Sequence, residues 1–117
     1  MKIAISSMGP NLNALAEPHF EYSRYFVVVD PETMNCEIFD NMSSMITENA
    51  GISAAQFLIN KRVDAVVTGT IGPDETKVLG IAGMQIYLCE KCTVNEALNS
   101  FKDRRLQKLE GHSLRVD

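Results

Sequence analysis

The hydrophobic positions near the start of this chain fall into short runs typical of strands. Residues 2–7, 24–30 and 36–40 are rich in β-branched and aromatic side chains, which predicts three strands, the last two joined as a hairpin. Residues 8–18 contain glycine, proline and asparagine without periodicity, which predicts a loop. Because few large apolar side chains offset its ordering entropy, we expect this loop to be the most mobile internal segment without ligand.

Helical and strand patterns alternate through the rest of the chain. A proline at the first turn marks the start of one helix, and a capping box, Thr93 with Glu96 three residues later, marks the start of another. Short apolar runs bounded by charge or glycine predict buried strands. The first predicted helix spans residues 48–61, the second begins at Gly72-Pro73 and ends near Gly80 to Gly83, and the third is capped by Thr93 and has a buried face that extends to Phe101. The predicted strands between them span residues 64–68 and 84–88.

This order of elements predicts an α/β fold with one mixed five-stranded sheet flanked by helices. Alternation of strand and helix implies parallel strands joined by right-handed crossovers. The initial hairpin adds antiparallel strands, with residues 24–30 antiparallel to residues 2–7. We assign residues 1–103 to one domain and residues 104–117 to a charged C-terminal tail.

Composition excludes several classes of protein. The 117 residues are 45% hydrophobic and 22% charged, as in ordinary globular domains. A net charge of −4 argues against nucleic-acid partners and anionic membranes, which need a cationic surface. No apolar run approaches the roughly 18 residues of a membrane span, and three cysteines do not make a disulfide framework. We therefore expect a cytoplasmic protein without membrane partners.

A C-x-x-C motif, Cys89 and Cys92, follows the predicted fifth strand and precedes a helix start. Ligands in open α/β sheets bind at the carboxyl ends of strands, and a helix start is expected to lower thiol pKa values. Two thiolates do not complete a zinc site, which needs four ligands. A site shared with His19, a site across a homodimer, a redox pair and two plain turn residues all remain open.

His19 and three glycines are the other candidates for a binding site. His19 is either a soft-metal ligand or an imidazole that orders its loop through hydrogen bonds. The turn from Gly69 to Gly72 has backbone N–H groups that would suit an anion, or it is only a tight turn. Gly51, at the start of a helix, allows either a ligand or a packed neighbour to approach closely.

Several segments, taken in order, resemble the dinitrogenase iron–molybdenum cofactor biosynthesis family, including its small stand-alone NifX-like carriers. The resemblance covers residues 1–103. The segments that carry it are the opening Met1-Lys2-Ile3-Ala4-Ile5-Ser6, Pro18-His19-Phe20 followed by Tyr25-Phe26-Val27-Val28-Val29-Asp30, Asn49-Ala50-Gly51-Ile52, Asp64-Ala65-Val66-Val67-Thr68-Gly69, Ile71-Gly72-Pro73 and Thr93-Val94-Asn95-Glu96-Ala97-Leu98.

The resemblance implies a ribonuclease-H-like three-layer fold and a role for His19 in binding the cofactor precursor. It does not imply nuclease activity. The chain departs from the family in two places. Glu21-Tyr22-Ser23 stands where the family has a glycine, a basic residue and an alanine, and Cys89-Glu90-Lys91-Cys92 replaces a glycine-rich turn. A carboxylate at the first position disfavours an anionic cluster.

These observations lead us to expect a binding protein that carries an iron–sulfur or iron–molybdenum-type cluster between metallocofactor donor and acceptor proteins. The cofactor-binding candidates are His19, Cys89, Cys92, Gly69, Gly72 and Gly51, and the candidate metal ligands are His19, Cys89 and Cys92. No catalytic motif is evident, so we do not expect an enzyme. The alternative is a thiol–disulfide or metal-sensing regulatory protein that uses the two cysteines.

Overall fold

A computed structural model describes residues 1–109. The strands are β1 (Ile3–Ser7), β2 (Tyr25–Val29), β3 (Cys36–Asp40), β4 (Ala65–Thr68), β5 (Gln85–Leu88) and β6 (Gln107–Lys108). The helices are α1 (Met42–Met45), α2 (Ala50–Asn60), α3 (Pro73–Ile81) and α4 (Val94–Lys102), with a 3₁₀ turn at Phe20–Tyr22. Within residues 1–109, no helix is both long and apolar enough to cross a bilayer.

The strands form one mixed sheet in the order β3-β2-β1-β4-β5-β6. The predicted antiparallel pairing of β1 with β2 is confirmed, with Ile3 opposite Val29. β1, β4 and β5 are parallel neighbours, as the strand–helix alternation predicted. The ribonuclease-H-like name remains a prediction, whereas the mixed α/β sheet with flanking helices is confirmed.

The predicted count of five strands is wrong because residues 1–109 alone form a sheet of six strands. β6 lies in the segment we assigned to the charged tail and pairs antiparallel with β5, with Leu88 opposite Gln107. Two paired residues in a charged stretch leave no alternating pattern to detect in the sequence. Residues 110–117 of the predicted tail lie outside the described residues.

Alternating side chains of the strands build a core on each face of the sheet. One face packs against α2 and α3, and the other packs against α4. The first core includes Ala4, Val28, Val66 and Ile86 with Leu58 and Leu79 of the helices. The second includes Ile3, Ile5, Val27 and Val67 with Val94 and Leu98 of α4. This period-two division makes a three-layer domain with helices on both faces.

The loop of residues 8–18 is tied to the start of α4. Ala16 donates a backbone hydrogen bond of 2.9 Å to the carbonyl oxygen of Cys92. The carbonyl oxygens of Leu12 and Ala14 accept from Asn95 and Val94, each at 2.9 Å. These bonds could not be predicted from the sequence, because they join main-chain groups. Such hydrogen bonds restrain the loop and so argue against unusual mobility. The mobility of the loop stays a prediction.

Candidate functional site

Three candidate segments leave the sheet at one edge, which we call the carboxyl edge. It is formed where the parallel strands β1, β4 and β5 end, at residues 7, 68 and 88. The loop after β1 returns to this edge at His19, which forms an isolated bridge with Thr70. Residues 8–19, 69–72 and 89–92 are therefore neighbours there, as their positions after parallel strands predict.

The turn of residues 89–92, here the cysteine turn, is anchored at both ends. The Cys89 N–H donates to the carbonyl oxygen of Thr68 at 2.9 Å, and the Cys92 carbonyl oxygen accepts from Ala16 at 2.9 Å. Both cysteine side chains are half-buried against the core on the α4 face, which includes Phe101. The two thiols thus have fixed backbone positions beside apolar surface.

The helix start beside Cys92 does not offer free amides to a thiolate. The first N–H groups of α4 donate to the carbonyl oxygens of Leu12 and Ala14. The next is taken by the predicted capping box, in which Glu96 N–H donates to the Thr93 hydroxyl at 3.1 Å and Thr93 N–H donates to the Glu96 carboxylate at 2.8 Å. These partners remove most of the stabilisation that a helix N-terminus gives to an anion.

Burial, together with the neighbouring Cys92 thiol, raises the pKa of the Cys89 thiol to about 12. Burial also raises the pKa of Cys92. The expectation that the helix start lowers these pKa values is therefore wrong, because the apolar surroundings disfavour the thiolate and the helix amides are already bonded. Both groups are thiols at neutral pH in the metal-free protein.

A cleft of about 170 Å³, here the sulfur cleft, lies between the loop of residues 8–18 and the cysteine turn. Its walls are largely apolar and include Leu15, Ala16, Pro18 and Gly69. It is also lined by the sulfur-bearing side chains of Met8 and Cys89 and by Glu17, Glu90 and Lys91. A small apolar pocket with a few polar groups at the end of parallel strands is the usual form of a ligand site.

A second, more polar cleft of about 550 Å³ also borders the cysteine turn. It is lined by both cysteines together with Ser100 and Arg105. Cys89 therefore borders both clefts. A third cleft, of about 710 Å³, lies at the opposite end of β1 and includes Met1, Pro31 and Lys102. It holds none of the candidate site residues, so we place the site at the carboxyl edge.

His19 lies at the carboxyl edge but does not line the sulfur cleft. Its side chain is exposed, and Nδ1 is 3.0 Å from the Thr70 hydroxyl oxygen. Its backbone N–H donates to the Glu17 carboxylate at 3.0 Å, and its ring meets Tyr22 edge to face. Within residues 1–109, no group of three His, Cys, Asp or Glu side chains is close enough to hold a metal ion. His19 and the cysteines are therefore not preassembled as one ligand set.

The three candidate glycines accommodate crowded neighbours. A Cβ atom at Gly69 would lie 2.5 Å from the Pro18 carbonyl oxygen, so this glycine permits two backbone segments to touch. Cβ atoms at Gly51 and Gly72 would both collide with the Glu75 side chain. Gly69 also lines the sulfur cleft, whereas Gly51 and Gly72 are placed around a carboxylate of α3.

Sequence reasoning missed the contribution of Thr70, Glu75 and Arg105. Thr70 receives the Pro18–Phe20 segment, since its N–H donates to the Pro18 oxygen at 2.6 Å and its carbonyl accepts from Phe20 at 3.0 Å. The position of Thr70 between the candidate glycines Gly69 and Gly72 could have indicated this role in the sequence. No feature of the sequence pointed to Arg105, because it reaches the site through the connection to β6, which was not predicted.

Known proteins resemble the chain over most of its length. A family model described as dinitrogenase iron-molybdenum cofactor matches residues 1–104. The apo form of the orange protein from Desulfovibrio gigas superposes with a TM-score of 0.90 at 35% identity, covering 94% of this chain and 93% of that one. A Thermotoga structure provisionally named as a NifB protein gives 0.80 at 29%, covering 92% and 91%. An uncharacterized protein of Methanocaldococcus jannaschii is 28% identical over 113 residues, covering 94% of this chain and 92% of the relative.

Proposed function

Because the chain belongs to the dinitrogenase iron–molybdenum cofactor family, we propose that it carries a metal–sulfur cluster during metallocofactor assembly and is a binding protein, not an enzyme. Its cargo is an iron–sulfur or iron–molybdenum-type cluster, received from a donor protein and passed to an acceptor. The observation that carries the proposal is the sulfur cleft, an apolar pocket with sulfur side chains at the carboxyl edge. The description of a close structural neighbour as an apo form also supports a binding role.

The chemistry of the cleft suits sulfur-rich cargo in part. Met8 and Cys89 provide soft donors, and the apolar walls suit a weakly hydrated sulfide surface. Glu17 and Glu90 oppose an anionic cluster, although Glu17 is engaged by the His19 N–H. The exposed His19 imidazole follows Pro18 of the cleft wall in sequence, and we expect it to meet cargo that extends out of the cleft. Such partial exposure suits transfer to another protein.

Anaerobic reconstitution with ferrous iron and sulfide tests this function. We expect the parent protein to gain visible absorption and bound iron. The Cys89→Ser/Cys92→Ser pair and His19→Ala should each bind less, while Cys36→Ser, at the start of the distant strand β3, should match the parent. Circular dichroism checks the fold of each variant. Equal loading of all variants, or no loading of the parent, would contradict the proposal.

A thiol–disulfide regulatory role is the second candidate, favoured by the adjacent half-buried thiols of Cys89 and Cys92. The raised pKa of both thiols argues for slow attack on disulfides, since the thiolate is the nucleophile. Reduction of a small aromatic disulfide at neutral pH distinguishes the two roles. The carrier proposal predicts a rate that Cys89→Ser does not lower.

A further inference from the structure

Sulfur-bearing side chains from two separate segments meet at the cysteine turn. Cys89 and Cys92 line the same polar cleft and pack against the same core surface on the α4 face. Met8, whose side chain is 48% exposed, lines the sulfur cleft together with Cys89. We propose that Cys89 and Cys92, assisted by Met8, bind a single soft monovalent cation of the copper(I) or silver(I) class. This site does not depend on the carrier function, because it needs no cluster.

The donor set selects this class of metal. A zinc site needs three or four strong protein ligands, and within residues 1–109 no group of three His, Cys, Asp or Glu side chains is assembled. Thiolate and thioether sulfur instead favour a soft d¹⁰ ion such as copper(I). Two thiolates satisfy such an ion, and the Met8 thioether offers a third, weaker ligand.

The carboxylates beside Cys89 favour a cation, and the cleft that both cysteines line also holds Lys91 and Arg105, which favour the anionic product. Glu17 and Glu90 line the sulfur cleft, and Lys91 is the single basic side chain among the residues that line it. Binding converts one metal cation and two thiols into a bis-thiolate complex of charge −1, and the two protons pass to solvent. No electron is transferred, so no oxidant or reductant is required. Lys91, between the two cysteines, then lies beside the negative product and offsets its charge.

The turn is prepared for a ligand by its backbone anchors. The hydrogen bonds from Cys89 N–H to Thr68 and from Ala16 N–H to Cys92 hold both ends of the turn in place. Phe101 and Tyr87 pack against the same core surface as the two cysteines, which shields the sulfur atoms. Binding therefore requires movement of side chains and little rearrangement of the main chain.

Anaerobic titration of the reduced, cluster-free full chain with copper(I), in competition with bicinchoninate, tests the site. We expect one ion per chain. Cys89→Ser and Cys92→Ser should each weaken binding by more than about 100-fold, since loss of a direct ligand exceeds the usual effect of its supporting residues. Met8→Leu should weaken it less, and Cys36→Ser should not change it. Zinc(II) should bind far more weakly.

Silver(I) provides a second test that needs no substitution. One equivalent should protect Cys89 and Cys92, but not Cys36, from iodoacetamide, as read by peptide mass spectrometry. Equal protection of all three cysteines would overturn the proposal. So would copper(I) binding that Cys36→Ser weakens as much as Cys89→Ser does, or tighter binding of zinc(II) than of copper(I). Failure of cluster reconstitution would leave this site intact, since both measurements use cluster-free protein.

Discussion

The turns that follow β4 and β5 leave the same edge of the sheet but serve different purposes. After β4, Gly69 and Gly72 stand where backbone or a carboxylate approaches so closely that a Cβ atom would collide with it. After β5, the cysteine turn borders two clefts. The sequences of both turns, residues 69–72 and 89–92, had suggested a ligand site. The difference teaches that glycines at a strand end can be required by close packing alone. A cleft beside reactive side chains is the better indication of a ligand site.

The largest expected effect is that of Gly69→Ala. Its methyl group would meet the Pro18 backbone, which cannot give way as a flexible side chain does. We expect a loss of about 2–3 kcal/mol in the free energy of unfolding, measured by urea denaturation. Glu90→Ala in the cysteine turn is the matched control and should change it by no more than about 0.5 kcal/mol. Equal stabilities of the two variants would contradict the difference in packing between the turn after β4 and the cysteine turn.

The crowding at Gly72 should be relieved by changing its neighbour. A Cβ atom there meets only the Glu75 side chain, so Gly72→Ala should cost about 1 kcal/mol in the parent and less in a Glu75→Ala background. For Gly51→Ala, within α2, the same background should turn a loss into a gain, since alanine favours helices by about 1 kcal/mol over glycine. A double-mutant cycle with zero coupling would refute this account of both glycines.

The cysteine turn should make stability sensitive to alkaline pH, whereas residues 69–72 contain no ionisable group. The pKa of Cys89 is about 12 in the folded protein, against about 8.5 for an unperturbed cysteine. The folded state holds the proton more tightly, so this contribution is complete below pH 8.5 and declines as pH rises toward 12. The difference in unfolding free energy between the parent and Cys89→Ser should therefore shrink above about pH 8.5. A constant difference would contradict the burial of this thiol.

The smallest effect is expected at His19. Its exposed ring makes one hydrogen bond, to the Thr70 hydroxyl, so His19→Ala should lower stability by about 0.5 kcal/mol or less. Thermal unfolding measures this, with Thr70→Val as the reciprocal change. A loss comparable to that of Gly69→Ala would show that His19 holds the edge together.

The sequence predicted those strands and helices that have a clear side-chain pattern. β-Branched runs located the first five strands, and Thr93 with Glu96 located the start of α4. β6 was missed because two residues among charges carry no pattern. The hydrogen bonds that join the loop of residues 8–18 to α4 were also missed, because main-chain groups are the same for every residue.

The site was predicted in position but not in detail. Parallel strands placed the candidate segments together, which follows from topology. The raised pKa of Cys89 could not be foreseen, because it depends on burial by residues distant in sequence. Nor could the separation of His19 from the sulfur cleft, which depends on its pairing with Thr70.

Amide chemical-shift mapping tests most directly whether metal–sulfur cargo is held at the carboxyl edge. Spectra of the ¹⁵N-labelled chain are compared before and after anaerobic loading with cluster. We predict that the amide signals of Met8, Gly69 and residues 90–92 shift or broaden, while those around Pro31 and Lys102, at the cleft beside the start of β1, stay in place. Changes centred on Pro31 and Lys102, with the cysteine turn unaffected, would contradict the assignment of the site.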